Sequence, residues 1–402
     1  MNDFKELIEE VKSRCDIASV IGSYIKLSQS GHNYKGLCPF HGEKTPSFYV
    51  STSKQMYKCF GCGEGGDVIK FVMQMENLEF IDAIKVLGDR YGIDVNTNLT
   101  EKDKLYIKKI KRYQEIHMEV ARMYFYKLIN TKNEGYKYLI ERGLDEKTIK
   151  KFGLGYSSDS WNELMNTMIS KGYSKEELIE CGLLSKSAQK QATYDKFRNR
   201  VMFPIFDYRG NVIGFGGRVL DNSEPKYLNS PETIIFNKRL NLYGLNFSRK
   251  EIKNNILILV EGYMDLISMY QYGVKNVVAT LGTALTEEQA LLIKRYAQTA
   301  IISYDSDSAG VKATLRAIDI LVKQGINVKV LSLKDCKDPD DFMRKYGVNK
   351  YEQAVKDAIS HIKFKINVLK NEYNLQEDED KIKFTKESVK IIKTLKSPID
   401  ID

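Results

Sequence analysis

The chain has 402 residues, 43% of them hydrophobic and 29% charged, with a formal net charge of +9. That composition excludes a disordered, collagenous or fibrous chain, and at about 150 residues per domain the length allows for two or three domains. No apolar run approaches the roughly 20 residues needed to cross a bilayer. The opening MNDFKELIEEVKSR has no apolar signal-peptide core, so a cytoplasmic chain is expected.

Phe4, Leu7, Ile8 and Val11 recur at helical spacing and predict an opening amphipathic helix. A Gly- and Cys-rich stretch follows, from about Gly31 to Gly66, in which SFYV (Ser47–Val50) and QMYKCF (Gln55–Phe60) read as short strands joined by a polar turn. Within it lie Cys38-Pro39-Phe40-His41 and, after seventeen intervening residues, Cys59-Phe60-Gly61-Cys62. That is the spacing of a structural zinc site. Zn2+ takes four tetrahedral ligands, and thiolate and imidazole suit its borderline softness. Cys38, His41, Cys59 and Cys62 are therefore the predicted ligands of one structural zinc. His32 falls outside the spacing and reads as a loop histidine, while Cys15, Cys181 and Cys336 are expected to pack as small hydrophobes.

Phe80, Ala83, Ile84, Leu87 and Tyr91 mark another helix. VNTNLTEKDK, Val95 to Lys104, is polar and aperiodic and reads as a linker or helix start. Helical patterns return over 113–128 and 136–140, and RVMFPIFDYRGNVIGFGGRVL then has two β-rich runs around a D-Y-R-G-N turn, the mark of a hairpin. Lys196, Arg198 and Arg200 alternate, which on an extended backbone sets them on one face. Arg218, Lys226, Asn229, Lys238 and Arg239 follow, with Tyr227 and Phe236 among them. Cations beside aromatics suit a single-strand groove; a solvated charged face is the bland alternative. GFGG is a weak phosphate-loop signal, because it lies inside the hairpin.

From Asn255 strands and helices alternate: ILILV (Ile256–Val260), a helix to Tyr272, VVA (Val277–Ala279), a helix to Tyr296, AIISY (Ala300–Tyr304), a helix to Lys323 and VKVLSL (Val328–Leu333). Fully apolar strands between helices predict a parallel sheet covered on both faces. After Asp338 the chain reads as helical to its end. Acidic pairs follow the strands: Glu261 and Asp265 in EGYMD, Asp305 and Asp307 in DSDSAG, Asp338 and Asp340 in DPD. Ligands of open α/β sheets bind outside the carboxyl ends of the strands, where these acids should meet. A single Asp after a strand is usually a helix cap. Three acidic groups at three strand ends instead suit divalent cations and the phosphates they carry.

Together these residues make the chain resemble the bacterial replicative DNA primases of the DnaG type. The match runs through YIKLSQSGHNYKGLCPFHGEKTPSF, YKCFGCGEGGDVIKFVM, the hairpin, PKYLNSPET, LYGL, EGYMD, ATLGTALT, YDSDSAG and KDPDDF, in the family's order and over nearly the whole chain. The resemblance implies a multidomain α+β protein: a zinc ribbon (1–98), a linker (99–112), the N-terminal part of an RNA polymerase core with a basic ridge (113–252), a Toprim subdomain (253–340) and C-terminal helices (341–402). It implies DNA-templated synthesis of RNA primers from ribonucleoside triphosphates on single-stranded DNA, in the cytoplasm at the replication fork. Glu261, Asp265, Asp305 and Asp307 match the family's catalytic acids. Glu261, Asp305, Asp307, Asp338 and Asp340 match its ligands for catalytic Mg2+ or Mn2+. Arg198, Arg200, Arg218, Lys226, Asn229 and Lys238 match positions that contact template or nucleotide. A replicative helicase is an expected partner of the full-length protein, through a C-terminal domain that this chain, ending at SPIDID, is expected to lack. Two other readings compete: a non-enzymatic zinc and Toprim recombination mediator, and a Toprim nuclease or topoisomerase.

Overall fold

The computed structural model describes residues 2–393 except 32, 77, 79, 96–100, 187–191, 283, 332, 334 and 335, and it divides into two compact units, 1–115 and 116–402. The side chain of Phe4, the loop histidine His32, residues 96–100 of the expected linker and the terminal SPIDID lie outside the described residues.

The first unit opens with α1 (Asn2–Arg14) and α2 (Ile17–Gly22), the latter capped by Asp16, whose carboxylate accepts from the Ser19 N–H at 2.8 Å. Next come β1 (Leu27–Ser30), β2 (Asn33–Gly36), β3 (Phe48–Ser51), β4 (Met56–Cys59) and β5 (Gly65–Gly66), an antiparallel sheet whose spatial order is their chain order. Residues alternate across each strand, so Phe48, Val50, Tyr57 and Cys59 all turn inward. The inward face packs on α3 (Val68–Glu76), while α4 (Phe80–Tyr91) backs α3. Phe48 stacks on Tyr57 at 5.1 Å between ring centres, and Phe71 of α3 meets Tyr57 edge-on at 5.5 Å.

In the polar segment expected as a linker or helix start, Val95 lies in a turn and the residues from Glu101 on are helical: α5 runs Glu101–Thr131. Its Glu, Lys and Leu residues are good helix formers, so the helix needs no apolar stripe at that end.

The second unit continues with α6 (Glu134–Glu141), α7 (Glu146–Phe152), β6 (Gly155–Ser157), α8 (Glu163–Ser170), α9 (Lys175–Glu180) and the short hairpin β7 (Leu184–Lys186) and β8 (Thr193–Asp195). The long hairpin of β9 (Arg200–Phe206) and β10 (Val212–Val219), with β11 (Tyr227–Asn229), forms an antiparallel sheet of order β11-β10-β9-β6. Asp207 closes the hairpin turn by accepting the N–H groups of Arg209 and Asn211, both at 2.9 Å. The expected alternation of Lys196, Arg198 and Arg200 along one strand does not occur. The strand starts only at Arg200, and Asn199 before it is left-handed at φ 48°, which reorients the chain.

After α10 (Leu245–Ser248) come β12 (Ile256–Val260), α11 (Tyr263–Gln271), β13 (Val277–Ala279), α12 (Glu287–Tyr296), β14 (Thr299–Ile302), α13 (Ser308–Lys323), β15 (Asn327–Val330), α14 (Pro339–Lys356), β16 (Ile359–Ser360), α15 (His361–Lys370) and α16 (Asp378–Ile392). The sheet order is β13-β12-β14-β15-β16, parallel except for β16. The uninterrupted apolar run of β12 has a two-sided explanation. Ile258 and Val260 enter one core with Leu266, Ile267 and Met269 of α11; Leu257 and Leu259 enter the other with Ala290 and Ile293 of α12 and Ile318 and Leu321 of α13. The strand β16 was not expected, since two residues carry no periodicity, and α14 breaks at Gly347, left-handed at φ 74°.

Candidate functional site

In the first unit the sulfur and nitrogen ligand atoms of Cys38, His41, Cys59 and Cys62 all lie within 4.8 Å of one another. The edge of β4 delivers Cys59, and the following turn brings Cys62 back: Gly63 N–H reaches the Cys59 carbonyl at 3.1 Å. The Cys38 and Cys62 sulfurs are 3.8 Å apart, and His41 Nδ1 is 3.6 Å from the Cys59 sulfur. A tetrahedral ion with bonds of about 2.3 Å to sulfur and about 2.1 Å to nitrogen requires separations of about 3.8 and 3.6 Å, so the set fits Zn2+. Burial pushes the Cys38 thiol up, so it does not ionise unaided, and a bound cation supplies the missing charge. A side chain at position 61 would not fit: a Cβ on Gly61 would sit 2.5 Å from His41 Nε2.

In the second unit β12, β14 and β15 run parallel with Leu259 beside Ile302 and Ile302 beside Val330, so their carboxyl ends share one edge. Glu261, Asp265, Asp305 and Asp338 line a cavity of about 250 Å³ at that edge, together with Arg142, Lys226, Tyr227, Asn229 and Lys337. Glu261 Oε1 accepts the Asp305 N–H at 3.2 Å. Burial and the charges of Glu261, Asp338 and Asp307 raise the Asp305 carboxyl to about 6. Asp265 is pushed well above the ordinary range by burial and by Asp338, Asp305 and Asp340. Burial and Asp307 raise Glu261 as well. Mutually repelling carboxylates around an open cavity are a fit for divalent cations, which are held by carboxylates and keep several waters of their own.

The remaining expected acids stand apart from the cavity lining. Asp307 caps α13, accepting the Gly310 N–H at 2.8 Å. Asp340 is fully buried in α14; it pairs with Arg142 and, at 3.6 Å, with Arg344. Asp338 does both jobs, lining the cavity and capping α14 through the Asp341 N–H at 2.8 Å.

The basic residues do not form one stripe. Arg198 lies over the exposed Trp161 at 3.9 Å and over Tyr194 at 5.1 Å. Arg200, expected to contact template or nucleotide, is 6% exposed, and its guanidinium donates to the carbonyls of Gly217 at 3.1 Å and Pro225 at 3.0 Å. It ties β9 to β10 and to the loop before β11 rather than offering a free cation. Arg218 lies 4.3 Å over Tyr138. Lys226 is exposed at the cavity mouth, and Lys238 opens a single 3-10 turn whose first carbonyl accepts from Gln289 at 2.9 Å. Asn229 is held on both sides: Tyr263 O–H donates to its oxygen at 2.7 Å, and its amide donates to the Leu281 carbonyl at 2.7 Å. The glycines of GFGG serve packing, since a Cβ on Gly216 would lie 2.5 Å from the Tyr263 ring. Sequence reasoning missed Arg142, Lys337 and Tyr263. Arg142 carries no motif and reaches the cavity only because α6 ends there.

Four families match segments of the chain in succession: the CHC2 zinc finger (4–103), the N-terminal domain of the DNA primase catalytic core (124–249), a Toprim-like family (258–343) and the DnaB-helicase binding domain of primase (362–402). The DNA primase of Clostridium acetobutylicum is 50% identical over 99% of this chain, which spans 66% of that relative. Curated relatives of this kind are thus matched over about two thirds of their length. The crystal structure of the zinc binding and RNA polymerase domains of the Aquifex aeolicus primase is 36% identical, with 98% of each chain covered and a TM-score of 0.60. A DnaG primase catalytic domain bound to single-stranded DNA matches 73% of this chain and 96% of its own at 33% identity, with a TM-score of 0.63. One expectation is overturned. The helicase-binding domain is not missing, because its family matches 362–402, where α15 and α16 lie. The error has a physical source: a helical docking surface is written as apolar spacing, which in sequence reads like any packed helix. Among the described residues no helix is long and apolar enough to cross a membrane.

Proposed function

Because the chain belongs to the bacterial DNA primase family, we propose that it synthesises short RNA primers from ribonucleoside triphosphates on a single-stranded DNA template. The reading places it in the cytoplasm, at the replication fork. The observation that carries it is the convergence of Glu261, Asp265, Asp305 and Asp338 on one cavity beside Arg142, Lys226 and Lys337. Acids for divalent ions next to cations for a triphosphate suit nucleotidyl transfer, whereas a mediator that only binds DNA needs no such pairing. We assign one structural Zn2+ to Cys38, His41, Cys59 and Cys62. Catalytic Mg2+ or Mn2+ goes to Glu261, Asp305, Asp307 and Asp338; Asp340 would join them only by exchanging Arg142 and Arg344. The proposed domains are the zinc ribbon to residue 98, the ridge-bearing core from 113, the Toprim subdomain over 253–340 and helices beyond, with residues 362–402 available to a helicase.

Bound divalent ions would neutralise the charge that builds on the phosphoryl oxygens. The protein's own groups do the rest. Arg142 and Lys226 flank the cavity and would hold the triphosphate. Glu261, its carboxyl raised by burial and by Asp307, is the group suited to take up the proton of a 3′-hydroxyl. Tyr263 fixes the Asn229 amide at the cavity wall. The exposed Trp161, with Tyr194 and Arg198 half-buried against it, forms an aromatic and cationic platform on which a template base would stack while its phosphate meets the guanidinium.

Labelled ribonucleotides, single-stranded DNA and Mg2+ test the reading: RNA primers support it, shortening of the template indicates a nuclease, and a mobility shift alone indicates a mediator. Trp161 is the chain's one tryptophan, so oligodeoxythymidine should quench the intrinsic fluorescence. Arg198→Ala should weaken that binding about tenfold, the scale of one lost stacking and phosphate contact. An unmoved midpoint would remove Arg198 from the interface.

The raised acids predict a pH dependence. Asp305 titrates near 6 in the fold against 3.8 unfolded, so between those values the folded state holds more protons and the empty site is destabilised as pH rises. A cation must displace that proton below pH 6. Mn2+ or Mg2+ affinity, followed by titration calorimetry, should therefore fall as pH drops below 6, by about tenfold per pH unit for the proton on Asp305. An affinity unchanged from pH 8 to pH 5 would count against these acids as ligands.

A further inference from the structure

We infer that Glu43 is the positioning residue of the cysteine–histidine metal centre: its carboxylate orients His41 so that Nδ1, and not Nε2, faces the ion. The inference rests on that centre holding zinc and adds to the ligand set the group that orders it.

Glu43 lies in the loop between the first knuckle and β3, two residues past His41, and its side chain is only 9% exposed. Hydrogen-bond donors surround it. Its Oε1 accepts the Cys38 N–H at 2.8 Å and the Ser47 N–H at 3.0 Å. Its Oε2 accepts the Ser47 hydroxyl and stands 3.2 Å from His41 Nε2. A carboxylate can accept from all of these; an amide of the same shape would turn its NH2 group toward some of the donors. A neutral imidazole carries one N–H; a proton on Nε2 would lie beside the Glu43 carboxylate, 3.2 Å away, and would leave Nδ1 as the lone-pair nitrogen. That nitrogen is the one 3.6 Å from the Cys59 sulfur, the separation a shared tetrahedral ion requires. The opposite tautomer would have to turn the ring over and abandon the carboxylate.

Two further observations bind this loop to the second knuckle. The Ser47 oxygen that donates to Glu43 is also 3.2 Å from the Cys59 sulfur. Gly61, between Cys59 and Cys62, leaves room for the ring and that hydroxyl only because it lacks a Cβ, which would fall 2.5 Å from His41 Nε2 and 2.8 Å from Ser47 Oγ. One carboxylate therefore touches a ligand's backbone and a second ligand's ring, and it holds the Ser47 hydroxyl that packs beside a third ligand's sulfur. A carboxylate accepting from a metal-bound histidine fixes its tautomer and raises its basicity, and losing such a partner costs typically about 10- to 100-fold in metal affinity.

The test uses the full chain loaded with zinc. Metal content is measured first, and a chain that retains no zinc would sink the ligand set itself rather than the role of Glu43. Long-range proton–nitrogen NMR on the loaded wild type should find His41 with Nδ1 metal-bound and Nε2 protonated, the Nε2 proton shifted downfield by its carboxylate partner. Metal on Nε2 would overturn the inference with no variant needed. Glu43→Gln should raise the zinc dissociation constant, measured by chelator competition, about 10- to 100-fold, and should move the His41 Nε2 proton upfield. Wild-type zinc affinity in that variant would overturn it equally.

Discussion

Asp305→Ala is expected to abolish primer synthesis, on the order of a thousandfold or more, without loss of the fold. Asp305 stands just beyond the end of β14, half-buried, among Glu261, Asp307 and Asp338, with burial raising its carboxyl to about 6. In the empty site it is a source of repulsion, so removing it relieves strain among its neighbours and should leave thermal unfolding unchanged or slightly raised at pH 8. With cations bound the same group neutralises them, and its loss removes charge that catalysis needs. The two readouts therefore move in different directions, which a merely structural residue would not produce. Labelled-ribonucleotide incorporation and a thermal melt of the same preparation decide the matter; a well-folded variant with full activity would contradict the assignment of Asp305.

The second large effect belongs to the other unit. Cys59→Ser should leave the zinc content near zero and unfold the ribbon. Binding of a structural zinc supplies on the order of 10 kcal/mol, comparable with the whole stability of about 5–15 kcal/mol of a typical domain. Cys59 is fully buried, faces Phe48 across β3 and β4 and returns the chain toward Cys62, so the metal and the aromatic core of Phe48, Tyr57 and Phe71 depend on each other. The near-ultraviolet signal of those rings should collapse while the second unit keeps its own melting transition. Initiation on bare single-stranded template should fall far more than extension of a preformed primer. A variant retaining stoichiometric zinc would rule this account out.

Some of this protein was legible before any coordinate was known, and particular residues explain why. Cys38, His41, Cys59 and Cys62 obey a spacing because each knuckle is a local structure, and a two-residue spacer is enough to converge both of its ligands. ILILV is apolar throughout because β12 has a core on each side, and that demand is visible residue by residue. Glu261, Asp305 and Asp338 could be assigned to one edge because parallel strands end together. The apolar pattern of α15 and α16, by contrast, gave no hint of a helicase-binding family, since helical spacing does not name what the helix meets.

What only the tertiary structure decided concerns pairs distant along the chain or hidden in loops. Arg142 meets Asp340 across 198 residues, which sets an expected metal ligand against a cation at the cavity wall. Arg200 shares the spacing of Arg198, yet one left-handed residue, Asn199, helps set the first against backbone carbonyls and the second against Trp161. The role of Gly216 rests on Tyr263, and that of Glu43 on which nitrogen of His41 it faces. Spacing and periodicity record forces acting within a few residues of backbone. Side chains from separate elements meet through packing, and packing leaves no period in the sequence to read.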